Sequence, residues 1–338
     1  MQWVCERWTD AIGRCHGGRM TDLLAHLLTA DANPIACATV EAWWPRMLAS
    51  AVPFATTIDR AIAGGFAADR LGWAFAAGYH QALQGLVPTL PPNLPAAFAA
   101  TEEGGGHPSA INTTLFQAAN GACSLSGVKR FVTLGRHART LLVVASVGTD
   151  ALGRNGLRLA RVSADAPGVT LEALPATSFA PEIEHAQALF TNVRVAAADL
   201  LPGDGYDRYL KPFRTLEDLH VLGASLGHLL GASRRYAWPE SLHEELLVTV
   251  VAVRALAALP LAGAALHVAL AGVFRTMGRV TAAADGFYGS AADDEATRWA
   301  RDCGLLQVAD RVREKRRVAA WRALAGLSVR STGPSEVL

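Results

Sequence analysis

The stretch VPTLPPNLP, residues 87–95, places four prolines in nine residues. Neither a helix interior nor a central strand accepts that density, because each proline lacks an N–H and fixes its φ. The chain therefore changes structure here, and its texture differs on the two sides. From Val40 to Leu86 apolar residues recur at helical spacing, as in AFAAGYHQALQGL, with little β-branched content. Beyond Pro95 come short β-rich runs (SLSGVKRFVTLG, TLLVVASVG, GLRLARVSA, GVTLEAL, ALFTNVRVA) separated by Gly, Asn, Asp and Pro at hairpin intervals. The turn cluster LLPGDGY, residues 200–206, ends that region. A long Ala- and Leu-rich helical pattern then runs from Asp207 to Leu324, broken at Trp238-Pro239 and around Gly286–Ser290. The spacing predicts an N-terminal helical domain over residues 1–97, a central antiparallel β domain over 98–203 and a C-terminal helical bundle over 204–338.

The chain has 338 residues, of which 51% are apolar and 18% charged, so it has the material for a large core and is not of disordered type. With 31 basic against 30 acidic side chains there is no cationic surplus of the kind that makes nucleic acid the default partner. Cys5, Cys15, Cys37, Cys123 and Cys303 are odd in number and form no C-x-x-C pair, which suits reduced thiols. Residues 1–19 carry Glu6, Arg7, Asp10 and Arg14 and lack the apolar run of a secretory leader, so a cytoplasmic location is expected. The segment from Ala255 to Phe274 has about the length of a membrane span and no formal charge before its end. Pro260, His267 and its Ala/Gly character predict a helix buried in a bundle instead, and no membrane association.

Thr101-Glu102 leads into Gly104-Gly105-Gly106, a run that lets backbone approach a bulky ligand and turn N–H groups toward phosphate oxygens. A flexible surface loop explains the same glycines. Phe131, Val132 and Thr133 read as successive strand positions, which places Phe131 and Thr133 on one face; an aromatic in a sheet core beside an edge threonine is the alternative. Glu240, Glu244 and Glu245 follow Pro239 at a helix start, where carboxylates complement the helix dipole. The basic run RVREKRR, residues 311–317, reads as a solvated helix face. His220, His228, His243 and His267 show no metal-ligand spacing, so no metal is expected.

Taken together, Thr101-Glu102-Glu103-Gly104-Gly105-Gly106-His107-Pro108, Gly127-Val128-Lys129-Arg130-Phe131-Val132-Thr133 and the later Phe190-Thr191-Asn192-Val193-Arg194-Val195 with Leu200-Leu201-Pro202-Gly203 resemble, in order and spacing, the middle-domain signature of the acyl-CoA dehydrogenase family. The segment RWARDCGLLQVADRVREKRR, residues 298–317, resembles the family's penultimate helix and active-site loop. The resemblance implies an α+β multidomain fold with a central β-barrel-like domain. It also implies FAD held by Thr101, Gly106, His107, Phe131 and Thr133, with the aromatic on the isoalloxazine and the Thr133 hydroxyl near its reactive nitrogen. The implied reaction is α,β-dehydrogenation of an acyl-CoA-like thioester by a homo-oligomer that passes electrons to a partner. Its catalytic base would be Asp310, with Glu244 as second candidate, since some members carry the base on that helix.

Three departures accompany the resemblance. His107-Pro108 stands where the family has Ser-Asp. Ala309-Asp310-Arg311-Val312 stands where it has Tyr-Glu-Gly-Thr. The region Ser233–Glu240 lacks the family's R-x-x-F-G motif, leaving Arg234 or Arg235 as possible pyrophosphate contacts. A degenerate, inactive member serving as a partner subunit or binding protein is the rival expectation.

Overall fold

A computed structural model describes residues 22–118, 122–288 and 294–331. Cys5 and Cys15 lie outside these residues, while Cys37 and Cys303 carry free thiols. Four helices precede the prolines: α1 (Leu23–Thr29), α2 (Val40–Ala51), α3 (Thr57–Phe66) and α4 (Leu71–Leu86). The first three begin at side-chain caps, with Asp22, Thr39 and Thr56 each accepting an N–H two or three residues on. Helix α4 is buried almost all round, as its apolar sequence requires, and it ends where Pro88 follows Val87.

Seven strands follow: β1 (Ala96–Ala99), β2 (Thr114–Gln117), β3 (Cys123–Thr133), β4 (Thr140–Thr149), β5 (Asn155–Ser163), β6 (Val169–Ala173) and β7 (His185–Val195). They form one sheet in the order β1-β4-β2-β3-β7-β6, with β5 also paired to β4. The β2–β3, β3–β7, β4–β5 and β6–β7 ladders are antiparallel, as the hairpin spacing predicts. The fully antiparallel expectation needs correction at β4, where β1 and β2 both pair parallel. These strands reach β4 from distant points in the chain, and local turn chemistry carries no signal for such a contact. Strand β4 is apolar on both faces: Leu142 and Val144 face the core shared with Tyr79 and Phe213, and Leu141 and Val143 the core inside the curled sheet.

The C-terminal region comprises α5 (Lys211–Arg235), α6 (Glu240–Ala257), α7 (Ala264–Tyr288), α8 (Asp294–Asp302) and α9 (Asp310–Ser331). The break at Trp238-Pro239 separates α5 from α6 as expected. The single helix expected over Ala255–Phe274 is not formed: α6 ends at Ala257, a turn holds Pro260 and Gly263, and α7 starts at Ala264. Proline interrupts the hydrogen-bond ladder here, and the turn satisfies the backbone locally. No helix among the described residues is long and apolar enough to cross a membrane.

The two helical regions share one core. Trp43, Ile62, Phe66 and Trp73 from before the sheet pack with Leu219, Leu226, Leu230 and Val253 from after it. Close approach depends on glycine: a Cβ on Gly227 would lie 2.2 Å from the Ile62 carbonyl oxygen, and one on Gly65 would lie 1.9 Å from that of Ala224. Helix α5 is thereby packed on the N-terminal helices, and its first turn meets the sheet through Phe213, whose ring lies 4.3 Å from that of Phe98.

Candidate active site

The end of β3 departs from regular pleating. Its ladder with β7 shifts register between Lys129 and Val132, and within the bulge Phe131 adopts φ +55°. A bulky residue in the left-handed region is strained, on the order of 1–3 kcal/mol, and such strain concentrates at functional sites. The ring remains 57% exposed. Strict alternation would put Phe131 and Thr133 on one face; the bulge leaves Phe131 exposed and Thr133 buried. Both still meet at His185 of β7. The Thr133 Oγ1 lies 3.4 Å from His185 Nδ1, and the Phe131 ring packs edge-on to the imidazole at 6.4 Å. Burial lowers the pKa of His185, against an opposing hydrogen bond with the Phe131 backbone. Tyr79 of α4 is tied to the same sheet, its hydroxyl accepting the Phe98 N–H at 2.7 Å.

Thr101 and the glycine turn are strapped to this strand. The Arg130 N–H donates to the Thr101 carbonyl at 2.8 Å. The Glu102 carboxylate accepts from Lys129 Nζ at 2.7 Å and from the N–H groups of Asn112 and Thr113 at 2.8 and 2.9 Å. Lys129 is fully buried, and burial pulls its pKa down to about 8 although Glu102 opposes the shift. Burial also acts on Glu102, but its hydrogen bonds outweigh it and hold the carboxyl below the usual range. The glutamate of the first motif is therefore a fastener between the turn and β3.

His107 is exposed. Its Nδ1 lies 2.8 Å from Ser109 Oγ and accepts the Ser109 N–H at 3.3 Å, capping the short turn that Pro108 begins. The His-Pro departure thus serves local turn formation. Gly106 is reached from α5 instead, where Arg214 Nη2 donates to the Gly106 carbonyl at 2.7 Å.

A cavity of about 430 Å³ opens beside Phe131 and His185, walled by apolar side chains that include Phe75, Phe179, Phe274, Met277 and Leu305. Two carboxylates reach it, Glu217 and Asp218 of α5. Both Asp218 oxygens are spent, one on Arg313 at 3.0 Å and the other on Arg316. Glu217 is partly buried and makes no ion pair among the described residues. Burial, reinforced by the negative charge of Asp218, pushes its pKa up to about 7.

The two sequence-predicted bases lie elsewhere. Asp310 begins α9 with its side chain 63% exposed and 3.1 Å from Arg313, lining a neighbouring cleft. The loop before it does reach the cavity, through Val308 and Ala309. Glu244 is exposed on α6 and borders a surface groove between α6 and α7. Arg234 and Arg235 are also turned away: they donate to the Leu27 and Ala32 carbonyls, and Arg235 pairs with Glu295. The described residues contain no group of three metal-ligating side chains. Sequence reasoning missed Tyr79, His185, Arg214 and Glu217; the available signal was an acid at residue 217 inside an otherwise core-forming helix.

Residues 97–193 match the family model of the acyl-CoA dehydrogenase middle domain. No curated protein sequence matches the chain. Among solved structures, the chain is similar to butyryl-CoA dehydrogenase from Megasphaera elsdenii, at 16% identity and TM-score 0.65 over 90% of this chain and 100% of that one. It is likewise similar to a glutaryl-CoA dehydrogenase from Mycobacterium smegmatis in complex with FADH2, at 15% and 0.63 over 90% and 92%. A third is FkbI, for biosynthesis of a methoxymalonyl extender unit, at 18% and 0.67 over 90% and 98%. The fold is that of the acyl-CoA dehydrogenases: helical regions on either side of a curled central sheet.

Proposed function

We propose that this chain, with an acyl-CoA dehydrogenase middle domain and the fold of those enzymes, is an FAD-dependent oxidoreductase that introduces an α,β double bond into an acyl thioester, with Glu217 as catalytic base. The observation that carries the reading is a carboxyl with a pKa of about 7 on the wall of an apolar cavity that also receives Phe131 and His185. The residues fit a flavin ring. An exposed, strained Phe131 offers an aromatic face, and beside it the half-buried His185 meets the buried Thr133. Thr101, Gly106 and Arg214 stand together at the adjoining turn.

When bound there, FAD supplies the acceptor for the β-hydrogen and its electron pair. The chain's own residues do the rest. The Glu217 carboxylate takes the α-proton onto an oxygen, the electron pair of that C–H bond becomes the second Cα–Cβ bond, and the protonated Glu217 persists because its pocket disfavours charge. The apolar wall of Phe75, Phe179, Phe274 and Met277 excludes water and takes the acyl chain. Asp218, paired with Arg313 and Arg316, ties the first turns of α5 to α9. Reoxidation needs an electron-accepting partner.

The test is flavin content and anaerobic bleaching of the flavin band on adding acyl-CoA thioesters of increasing length, with Glu217→Gln beside the wild type. Retained flavin with bleaching lost in Glu217→Gln supports the assignment. A second reading, a flavin-binding member without turnover, is favoured by the outward position of Asp310; a wild type that holds FAD but is not bleached by any thioester would establish it.

A further inference from the structure

The cavity beside Phe131, His185 and Glu217 is closed toward α7 and α9 by a thin wall, and behind that wall lies the cleft of about 540 Å³ that Asp310 borders. Asp218, Phe274 and Arg313 line both spaces. Helix α7 divides between them: Leu270, Ala271 and Arg275 border the cleft, the buried Met277 borders the cavity, and Phe274 borders both. Its ring is clamped. The Arg313 guanidinium carbon lies 4.1 Å from the ring centroid, at cation–π distance. Arg313 is itself fixed by Asp218 at 3.0 Å, by Asp310 at 3.1 Å and by the Leu306 carbonyl at 2.7 Å. Chemistry changes across the wall. The cavity side is mostly apolar, whereas the cleft presents His267, Arg275, Glu314 and Arg317, with Arg275 and Glu314 exposed to water.

We infer that Phe274, held by Arg313, is the specificity-determining partition of this site, and that the substrate is a thioester with a short acyl chain. The naming of that substrate rests on the dehydrogenase reading. A volume of about 430 Å³ is toward the small end of ligand pockets, which run from roughly 300 to 1,000 Å³, and the flavin edge beside Phe131 would take part of it. Burial of an alkyl chain is worth about fourfold in affinity per methylene, and it stops where the ring blocks the chain. Removing the ring joins the cavity to the cleft, where Leu270, Ala271 and the alkyl stem of Arg313 can cover further methylenes. Enlarging the cavity at Met277 leaves the partition standing.

The experiment is calorimetric titration of butyryl-CoA, octanoyl-CoA and dodecanoyl-CoA into the full chain as purified, for wild type, Phe274→Ala and Met277→Ala. Wild type should bind butyryl-CoA at least about tenfold more tightly than either longer thioester. In Phe274→Ala the ratio of octanoyl to butyryl affinity should rise at least about tenfold, and dodecanoyl-CoA should bind as well, since each newly buried methylene adds about fourfold. Met277→Ala should leave dodecanoyl-CoA excluded. Should alanine at 274 prevent folding, Phe274→Leu should shift the same ratio in the same direction by a smaller factor. A wild type that binds dodecanoyl-CoA as tightly as butyryl-CoA, a ratio unmoved by shortening Phe274, or a shift as large in Met277→Ala would overturn the inference. The two readings fail separately. A chain-length shift in a protein whose flavin is never bleached keeps the partition and loses the dehydrogenase; bleaching at equal rates by all three thioesters in wild type and Phe274→Ala keeps the dehydrogenase and loses the partition.

Discussion

Glu217→Gln separates the two consequences of placing a carboxyl in an apolar cavity. Folded, Glu217 titrates at about 7 against an ordinary glutamate value of 4.5. Below pH 4.5 both folded and unfolded chains are protonated and the group costs nothing. Between 4.5 and 7 the folded chain holds the proton while the unfolded chain releases it, so stability falls as pH rises, and the full cost is reached above 7. At about 1.4 kcal/mol per unit this difference corresponds to about 3 kcal/mol. Glutamine has nearly the same shape without the charge, so Glu217→Gln should be no more stable than wild type at pH 4 and more stable by up to about 3 kcal/mol at pH 8. Urea unfolding of both proteins at the two pH values measures this, and the difference between proteins cancels every other titrating group. The same substitution should abolish flavin bleaching by acyl-CoA, and the wild-type rate should rise with pH through about 7 as the base ionises. A stability difference that is equal at pH 4 and pH 8 would refute the argument that burial, and not some unrelated packing effect, governs this carboxyl.

Asp310→Asn and Glu244→Gln, both exposed and outside the cavity, should each leave the bleaching rate within about threefold of wild type in stopped-flow measurements, at most the effect of a lost surface charge pair. Phe131→Gly should release backbone strain of on the order of 1–3 kcal/mol and so leave the urea midpoint unchanged or higher, while flavin retained through gel filtration falls. Lys129→Met should cost about 3–5 kcal/mol in urea unfolding, because it strands Glu102 in a buried site with only backbone donors. Gly227→Ala should destabilise by at least about 2 kcal/mol, since its Cβ would meet the Ile62 carbonyl oxygen at 2.2 Å and helices α3 and α5 would have to part.

What was legible in the chain is what short-range physics encodes. Four prolines in nine residues ended the first helical region and hairpin spacing marked the strands, because each reports the conformation of its own neighbourhood. The Thr101-Glu102 and Phe131–Thr133 motifs were also readable, and they lie at one site because β3 carries the second and is strapped to the first. The remainder depended on contacts between distant residues. Alternation placed Phe131 and Thr133 on one face, yet a bulge held by β7 and His185 set them apart. The parallel pairing of β1 and β2 with β4 and the common core of the two helical regions follow from which surfaces are buried together. The acids show the same division most clearly. Asp310 and then Glu244 stand out along the chain and Glu217 does not, yet the packed structure leaves the first two in water and puts the third on the wall of a cavity, where loss of solvent raises its proton affinity to about 7.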